Sequence, residues 1–160
     1  MVEVNTAVSA ALTRMEATGK LDGVKFEHFV GGGLPPPYYQ ANQFLLVERN
    51  GHDMLEFAAP NYKVKVAKDQ PYPNDDYQFA ARPEDVKAIA HALREGHAFD
   101  AAATVAKGPD TVRVELAITV AGTEHKVVYR TLPLALTPLD DLVKALIARV
   151  KSEGRHKLDP

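Results

Sequence analysis

The chain contains no cysteine among its 160 residues. That absence excludes disulfides, zinc–thiolate sites, iron–sulfur clusters and thiol nucleophiles together. It also lacks an excess of either charge, with 19 Lys and Arg against 21 Asp and Glu. Nucleic-acid and membrane-surface partners both favour clustered basic residues, so neither is expected. No apolar run reaches the length of about 18 residues that a membrane-crossing helix needs. Met1 to Gly19 lacks the basic start and unbroken apolar stretch of a secretion signal, and the cytoplasm is the expected location. No repeat of fixed period is present.

The residues of most catalytic and metal motifs are missing too. The only serines are Ser9 and Ser152, and neither sits in a Gly-x-Ser-x-Gly elbow. The histidines at 28, 52, 91, 97, 125 and 156 form no His-x-x-x-His pair. His91 and His97 do not share a helical face, and Gly96 interrupts them. Asp69, Asn74, Asp75 and Asp76 lack the spacing of a calcium loop. Gly31-Gly32-Gly33 is followed by prolines rather than by a helix start, so it is neither a P-loop nor a dinucleotide fingerprint. Glu27, Glu48, Glu56, Glu115 and Glu124 are candidates for acid–base chemistry, but each is expected to be the wet member of an alternating strand. No cofactor, metal or catalytic residue is assigned, and enzymatic activity is not expected.

What is present is the pattern of a folded α+β domain. An apolar fraction of 46% is ordinary for a globular protein. A chain of this length buries roughly 70% of the surface its unfolded form exposes. Val4, Val8, Ala11, Leu12 and Met15 recur at helical spacing, with Gly19 as the stop. That first element is either a docked helix or a loosely held arm. Val24 to Val30 alternates as a strand and stops at Gly31. Gln43 to Arg49 and Asp53 to Ala58 flank Asn50-Gly51, the pair that favours a type I′ hairpin turn. Tyr62 to Ala67 alternates as a fourth strand. Lys68 to Arg82 reads as a polar loop, longer than most structural connections.

A second helix is predicted from Pro83, with Glu84 and Asp85 complementing its positive end. Val86, Ile89, Ala90 and Leu93 form its stripe, and Gly96 ends it. Ala98 to Lys107 is either a short helix or a loop. Thr111 to Val120 is the clearest strand, turning at Ala121-Gly122-Thr123 and returning from Glu124 to Leu132. A last helix is predicted with Thr137 as its cap and Pro138 at its first position. The fold class is therefore α+β: a single mainly antiparallel sheet, order α-β-β-β-β-α-β-β-α, with helices packed on one face. Residues 1–23 form an N-terminal helix or arm, 24–151 the core domain and 152–160 a polar C-terminal tail.

The candidate partner-binding site is the tract Gly32, Gly33, Leu34, Pro35, Pro36, Pro37, Tyr38 and Tyr39. Its prolines are stiff and its tyrosines large, so little freedom is lost when such a loop docks. The other reading is a loop packed over one end of the sheet, with the tyrosines as plugs. Lys68 to Arg82 is the second candidate contact.

The layout from Val24 to Val150 resembles the emfourin-type bacterial inhibitors of thermolysin-like metalloproteases. The resemblance rests on Gly32-Gly33 after the first strand, the second helix closing towards Phe99, the late hairpin with Gly122 and His125, and Thr137-Pro138-Leu139 opening the last helix. It implies stoichiometric blockade of a protease cleft without catalysis. The leading expectation is a non-catalytic protein-binding domain with a protein partner such as a protease. The alternatives are a small-ligand binder or enzyme using a cleft between sheet and helices, and a structural subunit of a larger assembly. The oligomeric state is left open.

Overall fold

A computed structural model describes residues 6–31, 42–60, 65–68, 74–99, 113–129, 133–153 and 155–156. The first helix, α1, spans Thr6–Thr18 and buries Val8, Ala11, Leu12 and Met15 against α2, Pro83–Glu95. It is thus a docked helix whose stripe belongs to the main core. Gly19 ends it at φ +70°, its N–H donating to the Met15 carbonyl at 2.8 Å. A Cβ at Gly19 would lie 2.8 Å from that of Pro83, so the same residue also lets α2 start close by.

Pro83 opens α2, and the Asp85 carboxylate accepts the Arg82 N–H at 2.8 Å. Val86, Ile89, Ala90 and Leu93 are buried as their spacing predicts. Gly96 closes the helix in an ordinary helical conformation, and the left-handed residue is His97, φ 52°. The need for glycine at 96 is instead one of space, because a Cβ would stand 2.9 Å from the Ala135 carbonyl oxygen. The last helix, α3, spans Thr137–Glu153. A 3-10 turn, Leu134–Leu136, runs straight into it, so Thr137 has helical dihedrals and is not a cap.

The strands are β1 (Lys25–Gly31), β2 (Asn42–Arg49), β3 (His52–Pro60), β4 (Asn74–Ala80), β5 (Arg113–Val120), β6 (Thr123–Tyr129) and the two-residue β7 (Arg155–His156). They form one sheet in the order β6-β5-β1-β2-β3-β4-β7, antiparallel at every pairing. Asn50-Gly51 and Ala121-Gly122 each have two successive positive φ angles, 52° and 81° in the first pair and 50° and 81° in the second. These are the dihedral signs of type I′ turns, whose twist matches that of the strands they join. The α+β fold and its element order are as the sequence indicates.

Three boundaries differ from expectation. The fourth strand is Asn74–Ala80, inside the stretch read as a polar loop, while Lys65, Val66 and Ala67 are not in a strand and residues 61–64 lie outside the described part. Asn74, Asp75 and Asp76 carry turn chemistry, but Tyr77 and Phe79 alternate onto the core, and tertiary pairing with β3 outweighs local preference. The stretch read as a polar tail also contains regular structure: α3 continues to Glu153, and Arg155 and His156 pair with Gln78 and Tyr77. Finally, Gly31 belongs to β1 and pairs with Arg113.

All three helices share one core with one face of the sheet. Phe26, Phe44, Leu46, Leu55, Leu116 and Ile118 point to that side and are fully buried. Each such side chain contributes about 1.5–3 kcal/mol relative to exposure. Glu27, Leu45, Glu56 and Gln78 lie in one register row on the opposite face.

Candidate functional site

Three polar or charged side chains are buried among the described residues: His28, Glu56 and Asp85, at 4%, 1% and 6% exposure. Two of them are fully accounted for by partners. Asp85 takes a two-pronged hydrogen bond from Arg149, with Nη1 to Oδ1 at 2.9 Å and Nη2 to Oδ2, while also binding the Arg82 N–H. The Arg149 guanidinium in turn lies over the Phe79 ring. Glu56 takes the Nε and Nη2 of Arg49, both at 3.1 Å, and the Gln78 amide at 2.9 Å. Its burial corrects the expectation of a solvent-facing residue. The row places Arg49 and Gln78 where they close over the carboxylate, so alternation alone does not decide exposure on this face. Glu27 and Glu115 are half-buried beside Lys25 and Lys126, whereas Glu48 and Glu124 are exposed as expected.

His28 is different. The alternation of β1 puts it on the core face between Phe26 and Val30, opposite Phe44 on β2 and Leu116 on β5. Burial lowers its pKa from the usual 6.5, against smaller upward pulls from Asp140 and from a bond to its own main chain, so the ring is neutral at pH 7. Among the described residues no other side chain hydrogen-bonds to it. What it borders is a cavity of about 240 Å³ between the sheet and α3.

The cavity's apolar walls are Val30, Phe44 and Phe57 from the sheet and Val143 and Ile147 from α3. Its polar groups are His28, Asn42, Asp140, Lys144 and Lys151. Asp140, Val143, Lys144, Ile147 and Lys151 follow each other at helical spacing, which brings them to one face of α3. Asp140 and Lys144 form an ion pair at 2.8 Å, and hydrogen bonding to Asp140 raises the pKa of Lys144. The Lys151 ammonium lies 5.1 Å from the centre of the Phe57 ring. Apolar walls with a few convergent polar groups are the general form of a small-ligand site.

Two other depressions are less suited to a ligand. One surrounds the β2–β3 turn and includes Lys20, Asp22, His52 and Asp53, but Asp53 already accepts the Leu21 N–H at 3.1 Å. The other lies on the outer sheet face between Glu27 and Lys126, where the charges pair with one another. Among the described residues no three His, Asp or Glu side chains gather as a metal site would require. No helix among them is long and apolar enough to cross a membrane.

The tract Gly32, Gly33, Leu34, Pro35, Pro36, Pro37, Tyr38 and Tyr39 lies outside the described residues. Its neighbours are informative, however. Val30 and Asn42 pair across β1 and β2 on either side of it, and both line the cavity. Of the second candidate stretch, Lys68 to Arg82, the described part is largely β4. Sequence reasoning did not single out His28, Asn42, Asp140, Lys144 or Lys151. The available signals were a histidine on an apolar strand face and an acid–lysine pair four residues apart, and both are common in residues with no site role. No protein-family model matches this chain, and no curated protein matches it in sequence.

Proposed function

We propose that this domain is a non-catalytic small-ligand-binding module whose site is the cavity between β1, β2, β3 and α3. The observation that carries the reading is His28, buried without a partner side chain among the described residues and set at the wall of a cavity that also gathers Asn42, Asp140, Lys144 and Lys151. A cavity of about 150 Å³ holds a benzene molecule. One of about 240 Å³ therefore suits an aromatic or branched group carrying a single polar head. It is smaller than the roughly 300–1,000 Å³ typical of drug-sized ligands.

The test is a fragment panel read by ligand-observed NMR on wild type and on Ile147→Phe, which fills the cavity from α3. Fragments with a Kd of about 1 mM or tighter should bind wild type and lose binding in the variant, with circular dichroism confirming its fold. A panel with no hit sensitive to Ile147→Phe refutes the reading.

A second reading is a protein-binding domain, with stoichiometric inhibition of a thermolysin-like metalloprotease as its form. It is supported by Val30 and Asn42, which stand on either side of Gly32 to Tyr39 in the chain, pair with one another and line the cavity. Replacing Pro36, Pro37, Tyr38 and Tyr39 with Ala and Ser should then abolish protease inhibition. Wild-type chain that leaves a thermolysin-like protease fully active contradicts the inhibitor role.

A further inference from the structure

We infer that the cavity between the sheet and α3 takes a small organic anion, a carboxylate on a short apolar body, with its head at Lys151 and Asn42 and its body against Phe44, Phe57 and Ile147. This inference rests on the ligand-binding reading above and adds the chemical class.

Asp140 and Lys144 neutralise one another at 2.8 Å. His28 adds no charge, because a buried imidazole without a partner carboxylate in hydrogen-bond contact is held neutral. Among the described residues the remaining formal charge on the wall is Lys151. Among the described residues no carboxylate pairs with it, and its contact is the face of Phe57. The described wall of the cavity is thus one positive charge in excess beside apolar side chains. A monoanion balances that charge, a neutral molecule leaves it unmatched, and a cation adds to it. An anion is attracted to the Lys151 ammonium and a cation repelled by it, so the sign of the ligand decides selectivity. The apolar walls select against small inorganic anions, which would lose hydration without replacing it. Asn42 also lines the cavity and carries an amide donor, the kind of group that suits the second oxygen of a carboxylate.

The experiment compares benzoate, benzamide and benzylammonium, three probes of one shape and three charges, by NMR titration of the full chain. Benzoate should bind about tenfold more tightly than benzamide, the gain of an ion pair over a hydrogen bond from the same ammonium to a neutral carbonyl, and benzylammonium more weakly than either. Lys151→Gln should remove the preference for benzoate over benzamide. Ile147→Phe should abolish all three. Benzamide or benzylammonium binding as well as benzoate overturns the anion assignment and leaves the cavity reading standing. Binding of all three that survives Ile147→Phe overturns the cavity reading itself. Failure of all three to bind overturns the anion assignment, and the fragment panel then decides the cavity.

Discussion

Asp85 and His28 are both buried, and both face the inner side of α3, yet their surroundings are opposite. Arg149, one helical turn and more beyond Lys144, reaches Asp85 with two hydrogen bonds, and the Arg82 N–H supplies a third. His28, facing the same helix, meets a cavity and one ion pair that is already closed on itself. A buried charge left unpaired costs several kcal/mol, so its partners follow from stability alone. A buried neutral imidazole is tolerated with far less support. The lesson is that Asp85 and Glu56 are explained by the fold, while His28 and the groups around it leave capacity for a ligand.

Breaking the paired side of this comparison should have the largest effect. Asp85→Ala strands Arg149 and removes the bond at the start of α2, and should cost about 3 kcal/mol, measured by urea unfolding. Replacing both partners together, Asp85→Ala with Arg149→Met, should recover part of that loss. A single change that costs less than the double would contradict the pairing. Glu56→Ala should cost less, about 1–2 kcal/mol, because Arg49 remains half in water and can be solvated. An Asp85 effect no larger than that of Glu56 would remove the distinction drawn between the two carboxylates.

Changing the unpaired side should alter pH dependence more than stability at neutral pH. The folded pKa of His28 is below the unfolded value of 6.5, so the unfolded chain binds the proton more readily. Its contribution is fully present above about pH 6.5 and is lost as pH falls through the folded pKa. His28→Phe should therefore change stability little at pH 7.5 and flatten the decline below 6.5. A variant whose decline in that window equals that of wild type would show that His28 is not held neutral.

The smallest effect belongs to an exposed counterpart. Glu16 on α1 binds Arg94 at 2.7 and 3.0 Å and His91 at 2.7 Å on α2, which lowers its pKa from 4.5 to about 2. Its stabilisation is present above 4.5 and is lost as pH falls through about 2. Glu16→Gln should lower neutral-pH stability by no more than about 1 kcal/mol, as exposed ion pairs do, and its thermal melts should converge on those of wild type as pH falls from about 4.5 to 2. A loss at pH 7 matching that of Asp85→Ala would place the α1–α2 pair among the buried ones.

Much of the scaffold is legible in the residues because its signals are local. Asn50-Gly51 and Ala121-Gly122 announce their turns, and the stripes of α2 and α3 and the alternation of β5 follow single periods. Asn74 to Asp76 defeated that logic, since turn-forming side chains there sit in a strand held by β3. The site was not legible for a different reason. His28 and Asn42 stand near the front of the chain and Asp140 to Lys151 near its end. Only the pairing of β1 with β2 and β5, and the return of α3 across β3, bring them together. The tract Gly32 to Tyr39 was legible as a candidate but lies outside the described residues; Val30 and Asn42, on either side of it in the chain, line the cavity that sequence alone did not reveal.

The most direct test follows the His28 imidazole by two-dimensional NMR while benzoate is added at pH 7.5, with His52, His91, His97 and His125 as internal controls. The account predicts that His28 starts as a neutral ring and that its resonances move saturably in wild type and stay fixed in Ile147→Phe. Benzoate binding that leaves His28 unmoved while another histidine shifts would contradict it.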